Sequence, residues 1–329
     1  MTYLLLVVSF ALLLGGALVF TNAVEWAGNR INLGAGAVGS ILAAVATALP
    51  ESIIPIVAII SGAQAEPIAI GAIIGAPFLL GTLGMFLIGV SAAVFSRRRD
   101  QGRELRLHQP TTQRDLVVFL GAFAVAVALG AIGVRWLHIA AAVLLVLTYL
   151  GYAVLSVKRG GQTEDQEELS PLYLDRSAKE PRTSRLLVQL LAGLAAIVGG
   201  AQLFVTEVEH LATALGVSAL LLALVIAPLA TELPEKANSV IWTRSGKDAL
   251  AVGNVAGAMV FQSMIPVAVG LAFTQWHFSA AAFAASAAAL LGAALALLTV
   301  RASDRFPVPQ ICVWGGLYAV AIGAIVVLT

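Results

Sequence analysis

The chain has 329 residues, 60% hydrophobic and only 11% charged, with a formal charge of +1 and a mean hydropathy of +0.95. A soluble domain carries roughly 25% charged residues, so this composition excludes an ordinary cytosolic enzyme, a disordered protein and a nucleic-acid binder. The single cysteine, Cys312, excludes an intrachain disulfide framework and a multi-cysteine metal site.

In chain order, apolar runs lie at about 3–23, 37–61, 67–95, 115–134, 137–157, 186–206, 216–241, 249–275, 278–300 and 310–328. Most are long enough to span a bilayer as a helix, at about 20 residues per span. None shows the period-two alternation of a membrane barrel. The expected fold is therefore an all-α polytopic membrane protein with ten transmembrane helices. No Lys or Arg precedes the first run, the first basic residue being Arg30. That run lacks the basic flank of a signal peptide and reads as a retained helix with a translocated N-terminus.

Ten spans place 17 of the 19 basic residues in connections on one side of the membrane. Only Arg135 falls on the other side, and Lys236 falls inside the seventh run. Basic residues mark cytoplasmic loops, so both termini are expected outside a plasma membrane. The polar stretch 158–185, with Pro171, Pro181 and mixed charges, reads as a solvated cytoplasmic linker between two halves, 1–157 and 186–329.

The halves repeat one another. Thr47-Ala48-Leu49-Pro50-Glu51 matches Thr231-Glu232-Leu233-Pro234-Glu235, and the stretch Ile68–Ala76 matches Leu250–Ala258 at nearly the same offset along the chain. Each half thus carries a T-x-L-P-E element followed by G-x-x-x-G, in the regions 40–80 and 222–265. Five spans per half is an odd number, so the halves enter the membrane in opposite senses, as in the inverted repeats of secondary transporters.

The chemistry of the motif points to cations. Pro50 and Pro234 have no N–H and release carbonyl oxygens in the preceding turn, and such groups need a partner in hydrocarbon. Thr47 and Thr231 add hydroxyls, and Glu51 and Glu235 add carboxylates. The set is all oxygen, which suits a hard cation such as Ca2+ or Na+. An ionised carboxylate near the bilayer centre costs at least about 2.5 kcal/mol, so a duplicated pair argues for function. Asn254 either completes a cation shell or bonds between helices. Gly71, Gly75, Gly253 and Gly257 suit close packing of the third and eighth spans on the broken helices.

At these residues the sequence resembles the cation/Ca2+ exchanger superfamily, in its sodium/calcium exchanger membrane-region family, as a divergent prokaryotic-type member. The resemblance implies antiport of a divalent cation against Na+ or H+, with no cofactor and the cations as cargo. It implies that Glu51 and Glu235 bind the ion, that Thr47 and Thr231 contribute oxygens, and that Asn254 is a ligand of the second repeat. The sequence departs from the family at Ala72, where Asn is usual, and at Ala48 and Glu232, where Ser is frequent.

Lys236 is the largest departure. Glu232 and Lys236 stand four apart, the favourable order for a helical ion pair. Either the two neutralise each other and stabilise the span, or the ammonium modulates the site's charge by sitting where a monovalent cation binds elsewhere in the family. Glu207, Glu209 and His210 read as a solvated outer connection, and the five tryptophans mostly as an interfacial belt. His108, His138 and His277 are scattered and form no metalloprotease motif.

Two further classes stand beside the antiporter. An intramembrane hydrolase with a carboxylate pair does not need two proline-broken helices. A family member that binds a cation without transporting it is kept open by Ala72 and Lys236. The expected partners are inorganic cations and the lipid bilayer, without nucleic acid, and the chain acts as a monomer or homodimer.

Overall fold

The computed structural model describes residues 2–30, 49–100, 102–106, 109–160, 170–176, 178, 180–302, 305–306 and 308–328. Helix α1 is Thr2–Arg30 and α2 is Leu49–Ser61. Helix α3, Glu66–Leu79, runs through a π-helical turn at Leu80–Gly84 into α4, Met85–Val94. Then come α5 Gln109–Leu129, α6 Arg135–Gly160 and α7 Thr183–Leu215. The chain continues through α8 Ala219–Thr231, α9 Leu233–Arg244, α10 Asp248–Phe273, α11 Ala280–Ala302 and α12 Val308–Leu328. Among the described residues, eight helical stretches have the length and hydropathy of a membrane span, with α3 and α4 counted together, and α2 and α8 are shorter apolar helices.

Burial sorts these helices into centre and rim. In α3–α4 and α10, 78% and 72% of the span window is buried, against 17% in α6. A helix apolar on all sides belongs in a core or in lipid, and here the two G-x-x-x-G helices take the core. Helix α6 turns Val143, Leu144, Leu147 and Leu150 outward to lipid.

Glycine sets the closest approaches. A Cβ on Gly71 would lie 2.7 Å from the Leu220 carbonyl oxygen, and one on Gly75 would meet Leu224 and Pro228. The third span therefore packs backbone to backbone on α8, as small residues permit. For Gly253 and Gly257 no described atom comes near, and the counterpart of α8 in the first repeat, 35–47, lies outside the described residues.

Helices α1 and α7 cross reciprocally. Gly16 of α1 faces Ala196 and Ile197 of α7, while Gly200 of α7 faces Leu12 and Leu13 of α1. Each contact maps onto the other under the same shift that carries Thr47 onto Thr231. The sequence holds this crossing as Gly15-Gly16-Ala17-x-x-Phe20 and Gly199-Gly200-Ala201-x-x-Phe204.

Contacts between connections define two ends of the bundle. At the basic end Arg30 binds Thr183 and the Pro181 carbonyl. Arg99 forms a two-pronged ion pair with Asp248 at 2.8 Å on each prong. Strand β1, Leu105–Arg106, pairs antiparallel with β2, Arg305–Phe306, with Leu105 opposite Phe306. At the opposite end Arg135 donates to the carbonyls of Leu271 at 3.0 Å and Thr274 at 2.9 Å. There too the Gln275 amide donates to Glu66 at 2.6 Å.

Several expectations are corrected. Helix α7 continues past the apolar run to Leu215 and ends on Gly216 in the left-handed region, φ +66°. Glu207, Glu209 and His210 are therefore helical rather than a connection, and Glu207 is buried, with one oxygen 3.5 Å from His210 Nδ1. Packing of α7 on α1 carries the helix beyond its apolar stretch. Helix α5 starts and ends earlier than 115–134, because Asp115 is satisfied by Arg114 and Tyr152 and the turn after Leu129 is held by the His138 ring.

Trp276 and Trp314 are core side chains, not belt residues. Their ring N–H groups donate to the carbonyls of Ala126 and Gly292, both at 3.0 Å. The described part of the 158–185 linker is mostly exposed but is anchored to the bundle at several points. Leu172 is buried, the Trp26 ring N–H donates to the Ser170 carbonyl at 2.9 Å, and Gln189 accepts from the Leu174 amide at 2.9 Å. His108 lies outside the described residues.

Candidate ion-binding site

The second T-x-L-P-E element breaks its helix. α8 stops at Thr231, Glu232 takes φ −96° and ψ 5°, and α9 starts at Leu233 with Pro234 in its first turn. Pro234 has no N–H for the Ala230 carbonyl, and Pro228 likewise leaves the Leu224 carbonyl without its helical donor. Thr231, itself buried, turns its hydroxyl back onto the Ala227 carbonyl at 3.2 Å. With 13 residues before the break and 12 after it, the break lies near the middle of the α8–α9 stretch, about 20 Å and 18 Å from its ends at 1.5 Å per residue.

Glu232 sits at that break and is 1% exposed. Its Oε2 accepts from Lys236 Nζ one turn on, and its Oε1 accepts from Gln262 Nε2 of α10 at 2.6 Å. The ion pair and the charge-assisted amide bond together make a buried carboxylate tolerable. The Lys236 stem reaches across to the π turn, its Cε 3.3 Å from where a Cβ on Gly84 would be. A π turn inserts one residue into a helix and re-aims the chain, and here it presents glycine to the lysine. Gln262 Oε1 and Ser239 Oγ are buried and meet no hydrogen-bond partner among the described residues.

Asn254 lies on the same stripe of α10 as Ala258 and Gln262, at i, i+4 and i+8. Its Nδ2 is buried and meets no acceptor among the described residues. A half-turn of the amide exchanges that nitrogen for an oxygen. The matching stripe in the first repeat, aligned by the pairing of Ile68 with Leu250, is Ala72, Ala76 and Leu80, entirely apolar.

Glu51 is buried, 7% exposed, in the first described turn of α2. Pro55, four residues on, removes the N–H that would take the Glu51 carbonyl. Helix α2 packs against α3, α7, α8 and α10, so Glu51 stands on a helix that touches both the Thr231 and the Asn254 helices. Thr47 lies outside the described residues, and Glu235 is placed by its backbone, in the first turn of α9. Among the described residues no three His, Cys, Asp or Glu side chains converge into a metal cage.

The structure thus joins Glu232 and Lys236 and adds two residues that the sequence reading passed over: Gln262 and Gly84. A usable signal was present for Gln262, a polar residue in an apolar run two helical turns from Asn254. For Gly84 there was none, because a π turn leaves no mark in hydropathy.

The sequence profile of the sodium/calcium exchanger protein family matches residues 1–158 and 185–328. CaxA of Alkalimonas amylolytica is 32% identical over 147 residues, which are 45% of this chain and 46% of that protein. The chain therefore matches that relative over somewhat under half its length. The fold is similar to that of the H+/Ca2+ exchanger CAX, with a TM-score of 0.74 and 17% identity, covering 99% of this chain and 86% of that one. It is also similar to the sodium-calcium exchanger NCX_Mj, with a TM-score of 0.61 and 23% identity, covering 98% and 99%. The family profile spans both halves and skips only the linker between them, and the chain accordingly belongs to the sodium/calcium exchanger family, whose members are transmembrane antiporters of ions rather than enzymes.

Proposed function

We propose that this protein is a secondary active antiporter that moves a divalent cation, Ca2+ in the first instance, against Na+ by alternating access to a mid-membrane site. The site is built from the two T-x-L-P-E motifs: Glu51, Glu235 and Glu232 supply carboxylates, Thr47 and Thr231 supply hydroxyl and carbonyl oxygens, and Asn254 supplies an amide oxygen. The carrying observation is the buried helix break at Glu232, a charged, proline-flanked gap in the middle of a span. Irregular backbone at that depth is tolerated where it lines a binding cavity.

Two inverted five-span repeats, 1–157 and 186–329, frame the site. The reciprocal crossing of α1 and α7 supports that symmetry, and helix breaks in repeated halves are the usual place of a transporter's site. The basic end of the bundle faces the cytoplasm, so both termini lie outside the plasma membrane, and the protein acts as a monomer or homodimer. CAX exchanges Ca2+ against H+ and NCX_Mj is a sodium-calcium exchanger. Na+ is the coupling ion of the first reading, and a proton-coupled exchanger is the second.

Uptake of 45Ca2+ into proteoliposomes tests this. An outward Na+ gradient drives accumulation in the wild type. Glu51→Gln lowers it on the order of 100-fold, as for removing one charge from a buried ionic cluster. Uptake that follows a pH gradient without Na+ assigns the coupling to protons. Saturable 45Ca2+ binding with no flux under either gradient makes the protein a non-transporting cation binder and overturns the antiport reading.

A further inference from the structure

The charges near the break do not match between the two repeats. Around the second motif stand Glu232 and Lys236, bonded to each other and buried. Their counterparts in the first motif are Ala48 and Ser52, which carry no charge. Counted with Glu51 and Glu235 of the proposed site, the set has three carboxylates and one ammonium. Its net charge is −2, the charge balanced by one divalent cation or by two monovalent ones. Without Lys236 it would be −3.

The ammonium is built in rather than incidental. Its stem runs over Gly84, where a larger residue would push against it, and its head holds the Glu232 oxygen that Gln262 does not take. The Gln262 amide that bonds Glu232 keeps its own oxygen buried with no partner among the described residues, offering a neutral ligand without further charge. A site buried in hydrocarbon strongly disfavours any state in which its charge is unbalanced. The number of mobile charges that the loaded site accepts therefore follows its fixed charge.

We infer that Lys236 is a stationary cation that sets the stoichiometry of exchange. It permanently neutralises Glu232, so the site loads either one divalent cation or two monovalent cations, and each exchange cycle moves no net charge. This inference rests on the antiport reading above and deepens it. It holds whether the monovalent ion is Na+ or H+, since only the charge is counted.

The test is the equilibrium accumulation of 45Ca2+ in proteoliposomes whose potential is clamped with K+ and valinomycin, with Na+ and pH gradients imposed in turn. Each net charge moved per cycle shifts that accumulation about 50-fold for roughly every 100 mV. The wild type is expected to show no shift. Lys236→Met raises the fixed charge to −3 and is expected to become potential-sensitive, while the double variant Glu232→Gln/Lys236→Met returns to −2 and loses the sensitivity again.

Wild-type accumulation that shifts with potential overturns the inference and leaves antiport standing, as does a functional Lys236→Met that stays insensitive. Should Lys236→Met not fold, the wild type and the double variant decide alone. Absence of flux in the wild type overturns the antiport reading, and the inference falls with it.

Discussion

The two motif regions share a sequence pattern and differ in chemistry. Both place a proline-containing T-x-L-P-E element just before a buried G-x-x-x-G helix. Yet the second region lines its helices with Glu232, Lys236, Ser239, Asn254 and Gln262, where the first has Ala48, Ser52, Pro55, Ala72 and Leu80. Elements that shape the backbone, proline and glycine, are kept because losing them misplaces whole helices. Side chains beside the motif diverge: Glu232 and Lys236 stand against Ala48 and Ser52, although each half keeps its own motif glutamate, Glu51 or Glu235. The duplication thus keeps the prolines and glycines, while the buried ion pair and its amide partner stand in the second repeat.

The comparison is broken most strongly at Lys236. Lys236→Met leaves Glu232 buried without its counter-ion and is expected to destabilise the protein by about 3–5 kcal/mol, read as a drop in thermal unfolding temperature in detergent. Glu232→Gln/Lys236→Met should recover most of that loss, whereas equal destabilisation in both variants would mean that the pair acts through packing. Ser52→Ala, at the matching place in the first repeat, should cost far less.

A smaller effect tests the shared backbone. Gly16→Val and Gly200→Val force side chains against the facing helix, where a Cβ already lies about 3 Å from the backbone. Each should cost about 1–3 kcal/mol as an overpacked contact, and the two losses should be similar. A severalfold difference would show that the crossing is not symmetric.

The smallest effect compares Glu66 and Asp248, which occupy matching places at the starts of α3 and α10, in register with the pairing of Ile68 and Leu250. Asp248 holds a guanidinium and Glu66 a backbone amide. Glu66→Gln keeps an acceptor and should cost about 1 kcal/mol or less, well below the cost of Asp248→Asn, which strands the buried Arg99 charge. Unfolding temperatures of the two variants rank them directly.

Much of this was legible in the residues. The apolar runs, the repeat and the proline break at Glu232 follow from properties local to the chain: hydropathy over a span, a missing N–H, a recurring spacing. The i, i+4 pairing of Glu232 with Lys236 is local too, since one helical turn brings them together. The reading failed where a residue's role depends on a neighbour far away in the chain. Trp276 and Trp314 look like interfacial residues until α5 and α11 offer them carbonyls, and Glu207 looks like loop until α1 and α7 pack along their full length.

By itself, then, the amino-acid order determined the solvent of this protein, the position of the break at Glu232 and the duplication of its acidic motif, because these are written in stretches no longer than one span. Only the tertiary structure decided that Gln262 completes the Glu232 pair and that glycine at a π turn receives the lysine. Those facts depend on which helix faces which across the bundle, and facing is a property of packing rather than of any segment.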